Sequence, residues 1–295
     1  MSNLYQRKLS LAGLDVGAWS EDDLRSLVRG ILESGIHGIS FSPYTEGQGP
    51  GDRVEETQIR SRLEIIRPYV RWIRTFSCTD GNERIPAIAK EHGLGTIVGA
   101  WLGPDADKNR REIDNAVAVA RAGHADILGV GNEVLLRGDL DEAQLLEHIA
   151  EVKSAVPDID VGYVDAYFEF EDHPRITEAC DVILANCYPF WEGCPVEYAA
   201  LYMKEMYRRA CRVAKDRRVI VSETGWPNIG TSVGGARPSF TNAVKYFVDT
   251  FRWAEEEGVE VFWFSSFDEA WKIEAEGDVG AFWGLWDADG RPKYV

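Results

Sequence analysis

A single-domain (β/α)₈ barrel is the fold this sequence predicts. Eight short apolar runs alternate with amphipathic helical patterns along the chain. The alternation fills about 260 residues, the usual extent of such a barrel. A doubly wound open sheet would need a Gly-rich phosphate turn after its first strand. Here the first strand leads into Tyr44-Thr45-Glu46-Gly47-Gln48-Gly49-Pro50-Gly51, and no helical pattern starts on those glycines.

Taken in order, the chain opens with a helical pattern, Ser20 to Gly35, which precedes the first strand. Residues 1–36 therefore read as an N-terminal extension containing one helix within one domain of residues 1–295. The eight strand candidates are His37–Pro43, Val70–Ser77, Gly95–Leu102, Ala125–Asn132, Ile159–Val164, Asp181–Tyr188, Arg218–Glu223 and Val259–Ser266. Helical spacing lies between them: Ile59, Leu63 and Ile66 recur every three to four residues. Gly93, Gly123 and Gly258 stand where C-caps are expected, and Asp139 or Asp141 opens another helix that stops before Pro157. Apolar strands separated by amphipathic helices imply parallel strands with the helices outside.

The formal charge of −17 disfavours nucleic acid and anionic membranes as partners and suits a neutral substrate. Ten Trp, eleven Tyr and twelve Phe serve mainly as core, with some available to stack on a flat-faced ligand. The five cysteines lack Cys-x-x-Cys spacing and read as free thiols in a reducing compartment. No run approaches the roughly 18 apolar residues of a membrane span. The chain as written reads as cytoplasmic; removal of a leader would place it in the periplasm or outside the cell.

In a barrel of this kind reactive groups gather at the C-terminal ends of the strands. The stretch Arg218–Gly230, "RVIVSETGWPNIG", ends an apolar strand on Glu223, and Gly131-Asn132-Glu133 ends the fourth strand in the same way. Strands four and seven lie on roughly opposite sides of the mouth, so Glu133 and Glu223 can meet over its centre. Facing carboxylates are what glycoside hydrolysis needs: one protonates the leaving oxygen, the other attacks or activates water at the anomeric carbon. Asn132 is placed to bond a sugar hydroxyl, and Tyr44, Tyr188, Trp191, Trp226 and Trp271 form an aromatic rim. No His-Glu-x-x-His, cation-spaced Asp cluster or Ser-His-Asp pattern is visible, so neither a catalytic metal nor a cofactor is expected.

The segments Val130–Val134 (VGNEV) and Val219–Pro227 (VIVSETGWP) resemble the two signatures of glycoside hydrolase family 17, retaining (β/α)₈ enzymes acting on β-1,3-glucans. Gly38–Tyr44, Ile73–Ser77, Gly131–Leu140, Tyr188–Gly193, Phe267–Lys272 and Trp283–Lys293 follow the pattern of its bacterial branch. The resemblance implies that Glu133 is the acid/base and Glu223 the nucleophile, with carboxyl groups roughly 5–5.5 Å apart. It places Asn132 and Tyr188 near the reacting sugar, Tyr44 on the other wall, and Glu269 and Lys272 in a Asp-Glu-x-x-Lys stretch that binds hydroxyls or supports Glu223. The chain departs from the family at Gly280, where plant members carry a Glu, and along Val161–Phe170. The expected partner is a β-glucan, with hydrolysis and glucanosyl transfer both open. A non-catalytic glucan-binding barrel, and a phosphate site at Asn228–Phe240, are the readings from other classes; oligomeric state is not legible.

Overall fold

The structure, a computed structural model, describes residues 13–295. The elements in chain order are α1 (Glu21–Ser34), β1 (Ile36–Ser40), α2 (Glu56–Ile66), β2 (Val70–Arg74), α3 (Ile85–Glu91), β3 (Gly95–Ala100), α4 (Ala106–Arg121), β4 (Ile127–Asn132) and α5 (Glu142–Ala155). They continue with β5 (Asp160–Ala166), α6 (Glu169–Asp172), α7 (Pro174–Ala179), β6 (Val182–Asn186), α8 (Val196–Ala214), β7 (Arg218–Thr224), α9 (Phe240–Glu257), β8 (Val261–Trp263) and α10 (Ile273–Glu276). The eight strands are parallel and close on themselves, β1 pairing with both β2 and β8.

Strand alternation sorts the side chains into two cores. Ile97, Ile127, Val164, Val182, Leu184, Ile220 and Phe262 fill the barrel, with Trp72 against them. Their strand neighbours Ile73, Val98, Leu128, Ile183, Val219 and Val221 point outward into the strand–helix core. Glycine makes room for the large interior rings: a Cβ on Gly95 would lie 2.2 Å from Trp72, and one on Gly38 2.5 Å from Phe262.

Helix α1 is closed at its start by a Ser20–Asp23 capping box and buries Leu24, Val28 and Leu32, a spacing of four. It packs against α9, and Arg25 Nη1 donates to the Lys293 carbonyl at 2.9 Å. After β8 come only 3₁₀ turns and the four-residue α10, so α1 occupies the place in the outer ring that a helix after β8 would otherwise take. The β5–β6 connection carries α6 and α7, too short for a periodicity in the sequence to show them. One expectation is corrected. Strand eight ends at Trp263, not Ser266, which puts Phe264 at the mouth.

Candidate active site

Three register shifts fall at the barrel mouth: between Gly129 and Asn132 on β4, between Ala185 and Asn186 on β6, and between Val221 and Thr224 on β7. On β7, Ile220 faces inward and Val221 outward. Ser222 faces inward again, donating Oγ to Asn186 Oδ1 at 2.8 Å. Regular alternation would then send Glu223 out towards the helices. The irregularity adds a residue instead, as bulges do when they re-aim a side chain. Glu223 turns into the mouth, and Thr224 faces outward to the Tyr246 hydroxyl at 2.6 Å.

Glu223 is held by donors on both oxygens. Arg74 Nη1 donates to Oε1 and the Tyr188 hydroxyl donates to Oε2, the latter at 2.7 Å. The second guanidinium nitrogen of Arg74 donates to Asn132 Oδ1, so one planar cation spans β4 and β7. Arg74 is only 1% exposed and lies over the Phe76 ring at 4.5 Å.

Glu133 sits in the left-handed backbone region, φ +52°, unusual for a residue with a side chain and of the kind that accumulates at functional sites. Its turn is tied down by the Glu133 amide to the Val164 carbonyl at 2.8 Å and by Arg137 donating to the Asn132 and Leu102 carbonyls. Asn186 Nδ2 donates to Glu133 Oε1 at 2.7 Å. Burial is the main influence on the Glu133 carboxyl and raises its pKa; the Glu223 charge raises it further, and the Asn186 bond only partly opposes them. On β5, Asp165 is pushed up to about 7, mainly by burial, while accepting from the Tyr163 hydroxyl.

The mouth is a cleft with two lobes that share Glu133, Glu223, Phe264 and Glu276. A wide lobe of about 520 Å³ lies towards β4–β6, with Tyr167, Phe168, Tyr188, Trp191 and Glu192 in its wall. A narrower lobe of about 250 Å³ lies towards β1–β3 and β8, lined by Tyr44, Phe76, Trp101, Asn132, Trp271 and Lys272. Among the described residues no group of three or more His, Cys, Asp or Glu side chains is placed to hold a metal ion, and no helix is long and apolar enough to cross a membrane.

The fold thus brings Glu133, Glu223, Asn132, Tyr44, Tyr188, Trp191, Trp271 and Lys272 to one cleft. Glu269 stands behind it, accepting from Trp271 Nε1 at 3.1 Å and pairing with Lys272 at 2.6 Å. Trp226 is a correction: read as a rim platform, it is 0% exposed. It packs edge-on to Phe190 and against Tyr246, and its Nε1 donates to the Arg237 carbonyl at 3.0 Å. In the Asn228–Phe240 loop, Ser239 Oγ accepts from the Asn242 amide at the start of α9 at 3.0 Å.

Arg74, Asn186, Phe264 and Glu276 are among the cleft residues that the sequence does not single out. Arg74 shares the inward face of β2 with Trp72, two residues before it, so a charged residue on the inner face of an apolar strand was the available signal. Asn186 lies inside the sixth apolar run, Asp181–Tyr188, with nothing in the sequence to mark it. Phe264 lay inside an overextended β8. Glu276 stands four residues before Gly280, where a family Glu was expected to be missing; it accepts from Trp283 Nε1 at 2.9 Å and burial pushes it up to about 7.

Two glutamates converge from β4 and β7 of a closed barrel in an aromatic-walled cleft, an arrangement of the kind that two-carboxylate glycosidases use. The BtgE/BtgC glycoside hydrolase domain matches residues 38–284, and the chain belongs to that family. It is 28% identical over 266 residues to a glucan 1,3-beta-glucosidase of Arthroderma benhamiae, covering 83% of this chain and 85% of the relative. It is 27% identical over 259 residues to one of Saccharomyces cerevisiae, covering 79% and 83%. Its structure resembles the family 17 beta-1,3-glucanosyltransferase of Rhizomucor miehei, with a TM-score of 0.79 and 26% identity, covering 88% of this chain and 96% of that one. An active-site mutant of that enzyme has been solved with laminaritriose. An endo-laminarinase from Formosa shares the fold, with a TM-score of 0.74 at 20% identity over 90% of this chain and 87% of that one.

Proposed function

We propose that the protein cleaves β-1,3-linked glucan with retention of configuration, Glu223 acting as nucleophile and Glu133 as acid/base. The observation that carries this reading is the unequal setting of the two carboxylates. Glu223 accepts from a guanidinium and a phenol, which leaves an acceptor-only carboxylate ready to attack. Glu133 is buried with its pKa raised, which favours holding a proton to donate.

In the first step a Glu223 oxygen forms a bond to the anomeric carbon as the glycosidic C–O bond breaks. Glu133 delivers its proton to the departing oxygen. In the second step Glu133 takes a proton from the incoming hydroxyl, whose oxygen displaces Glu223 from the same carbon. Each half-reaction conserves its proton, and the two displacements restore the original configuration. Asn186 draws Glu133 towards β6, so the leaving sugar belongs in the wide lobe and the glycosyl donor in the narrow one.

Transfer to a second sugar competes with hydrolysis, because both consume the same intermediate. The aromatic wall of the wide lobe, with Tyr167, Phe168 and Trp191, supports a sugar acceptor there. Incubation with laminaritriose, followed by mass spectrometry, tests both readings. Glucose and laminaribiose alone support hydrolysis, and products longer than the trisaccharide support transfer. No change in the trisaccharide or in longer laminari-oligosaccharides would sink the catalytic reading.

A further inference from the structure

The wide lobe does not end at the barrel rim. Trp191, 39% exposed, and Glu192 line it. The Glu192 carboxylate accepts from Tyr167 on one oxygen, at 3.0 Å, and from Tyr202 on the other. Tyr167 belongs to the lobe, whereas Tyr202 stands on the outer face of α8. One turn earlier on the same face is Tyr198, about 6 Å away along the helix axis. Tyr202 is 40% exposed and Tyr198 61%. Scattered exposed aromatics need no explanation, but a contiguous run leading out of a cleft does.

We infer that Trp191, Glu192, Tyr202 and Tyr198 form a track that carries a long glucan chain from the acceptor side of the cleft over the rim onto α8. This deepens the proposed function and rests on it. The chemistry suits that occupant. Aromatic faces take the apolar faces of sugar rings, and Glu192 and the phenols offer hydrogen bonds to hydroxyls. A neutral polymer meets no repulsion from a chain of net charge −17. The spacing of the two tyrosines is on the scale of one sugar ring. The other occupants this face could have are residues 1–12 of the chain and a second copy.

The test compares the full chain with its Tyr198→Ala and Tyr198→Trp variants on laminaritriose and on soluble laminarin, with mobility in native gels cast with and without laminarin. Tyr198→Ala should lower the ratio of kcat/KM on polymer to that on trisaccharide about tenfold, and lose gel retardation; Tyr198→Trp should keep both. Equal effects on the two substrates, or none on either, overturn the track and leave the catalytic reading standing. A lower melting temperature or a lost dimer at an unchanged ratio overturns it in favour of residues 1–12 or a second copy. If the wild type turns over neither substrate, the catalytic reading fails, and the gels decide the track alone. Greater retardation of wild type than of Tyr198→Ala supports it, and equal mobility overturns it.

Discussion

Asn186 donates Nδ2 to Glu133 at 2.7 Å while its own oxygen is held by Ser222 at 2.8 Å, so the amide can present only its donor end to the Glu133 carboxyl. A donor favours the ionised carboxylate, yet burial and the Glu223 charge win, and the Glu133 pKa lies above its ordinary value. Glu133 must be protonated to open the glycosidic bond, so kcat/KM should fall as pH rises through this raised pKa. Asn186→Ala removes the one nearby hydrogen bond that lowers it. The alkaline limb of the pH profile should then move to higher pH; a limb that stays or moves down would assign it to another group.

The two carboxylates should separate on leaving-group chemistry. Glu223→Gln should cost on the order of 10⁴-fold in kcat on any substrate, since no covalent intermediate can form. Glu133→Gln should cost about 10²–10⁴-fold on laminari-oligosaccharides. It should cost far less in the first step on a dinitrophenyl glycoside, whose leaving group departs without a proton. A burst of dinitrophenol from the Glu133 variant checks this; equal losses on both substrates would remove Glu133 from the role.

The same raised pKa makes a stability prediction. Between the unfolded and folded pKa values the folded state holds more protons, so stability is full below the unfolded value and is lost as pH rises through the folded one. Glu133→Gln should therefore raise the melting temperature at neutral pH and lose that advantage towards pH 4. Thermal denaturation across that range checks the sign.

Arg74→Lys keeps a positive charge but cannot reach Glu223 and Asn132 together from one ammonium. It should lower kcat by about 10²-fold, the scale of one lost preorganised donor, with a smaller change in KM. Arg74→Leu leaves the buried Glu223 without its cation and should cost roughly 3 kcal/mol of stability. Steady-state kinetics and urea unfolding report the two effects.

Trp226 separates packing from binding. Trp226→Ala should destabilise by about 3–5 kcal/mol, as for a large side chain removed from a core. Trp226→Phe should leave KM for laminari-oligosaccharides unchanged. A clear rise in KM for a variant of wild-type stability would restore Trp226 to the substrate.

The eight strands were legible because a strand buried on both faces is a short unbroken apolar run, and helices announce themselves by spacing. Glu133 and Glu223 were legible because a carboxylate ending such a run contradicts its surroundings. Trp226 misled for the opposite reason. An aromatic after a Gly at a strand end reads alike whether its ring faces ligand or core, and only the packing of Phe190 and Tyr246 distinguishes them. Arg74 and Asn186 were in view but had no assigned direction. Glu276 reaches the cleft through a segment after β8 whose path no periodicity reports.

The alternation of strands and helices, the parallel barrel it implies and the two glutamates at the mouth can all be read along the chain. Hydrophobic burial is patterned locally, so those features are written in short stretches. Where the glutamates point and what holds them emerge from the packed barrel alone. Regular alternation would have turned Glu223 towards the helices after Val221. The shift between Val221 and Thr224 turns it inward to Arg74 and Tyr188. Strand register is set by pairing with neighbours distant in the chain, and no single stretch of sequence contains it.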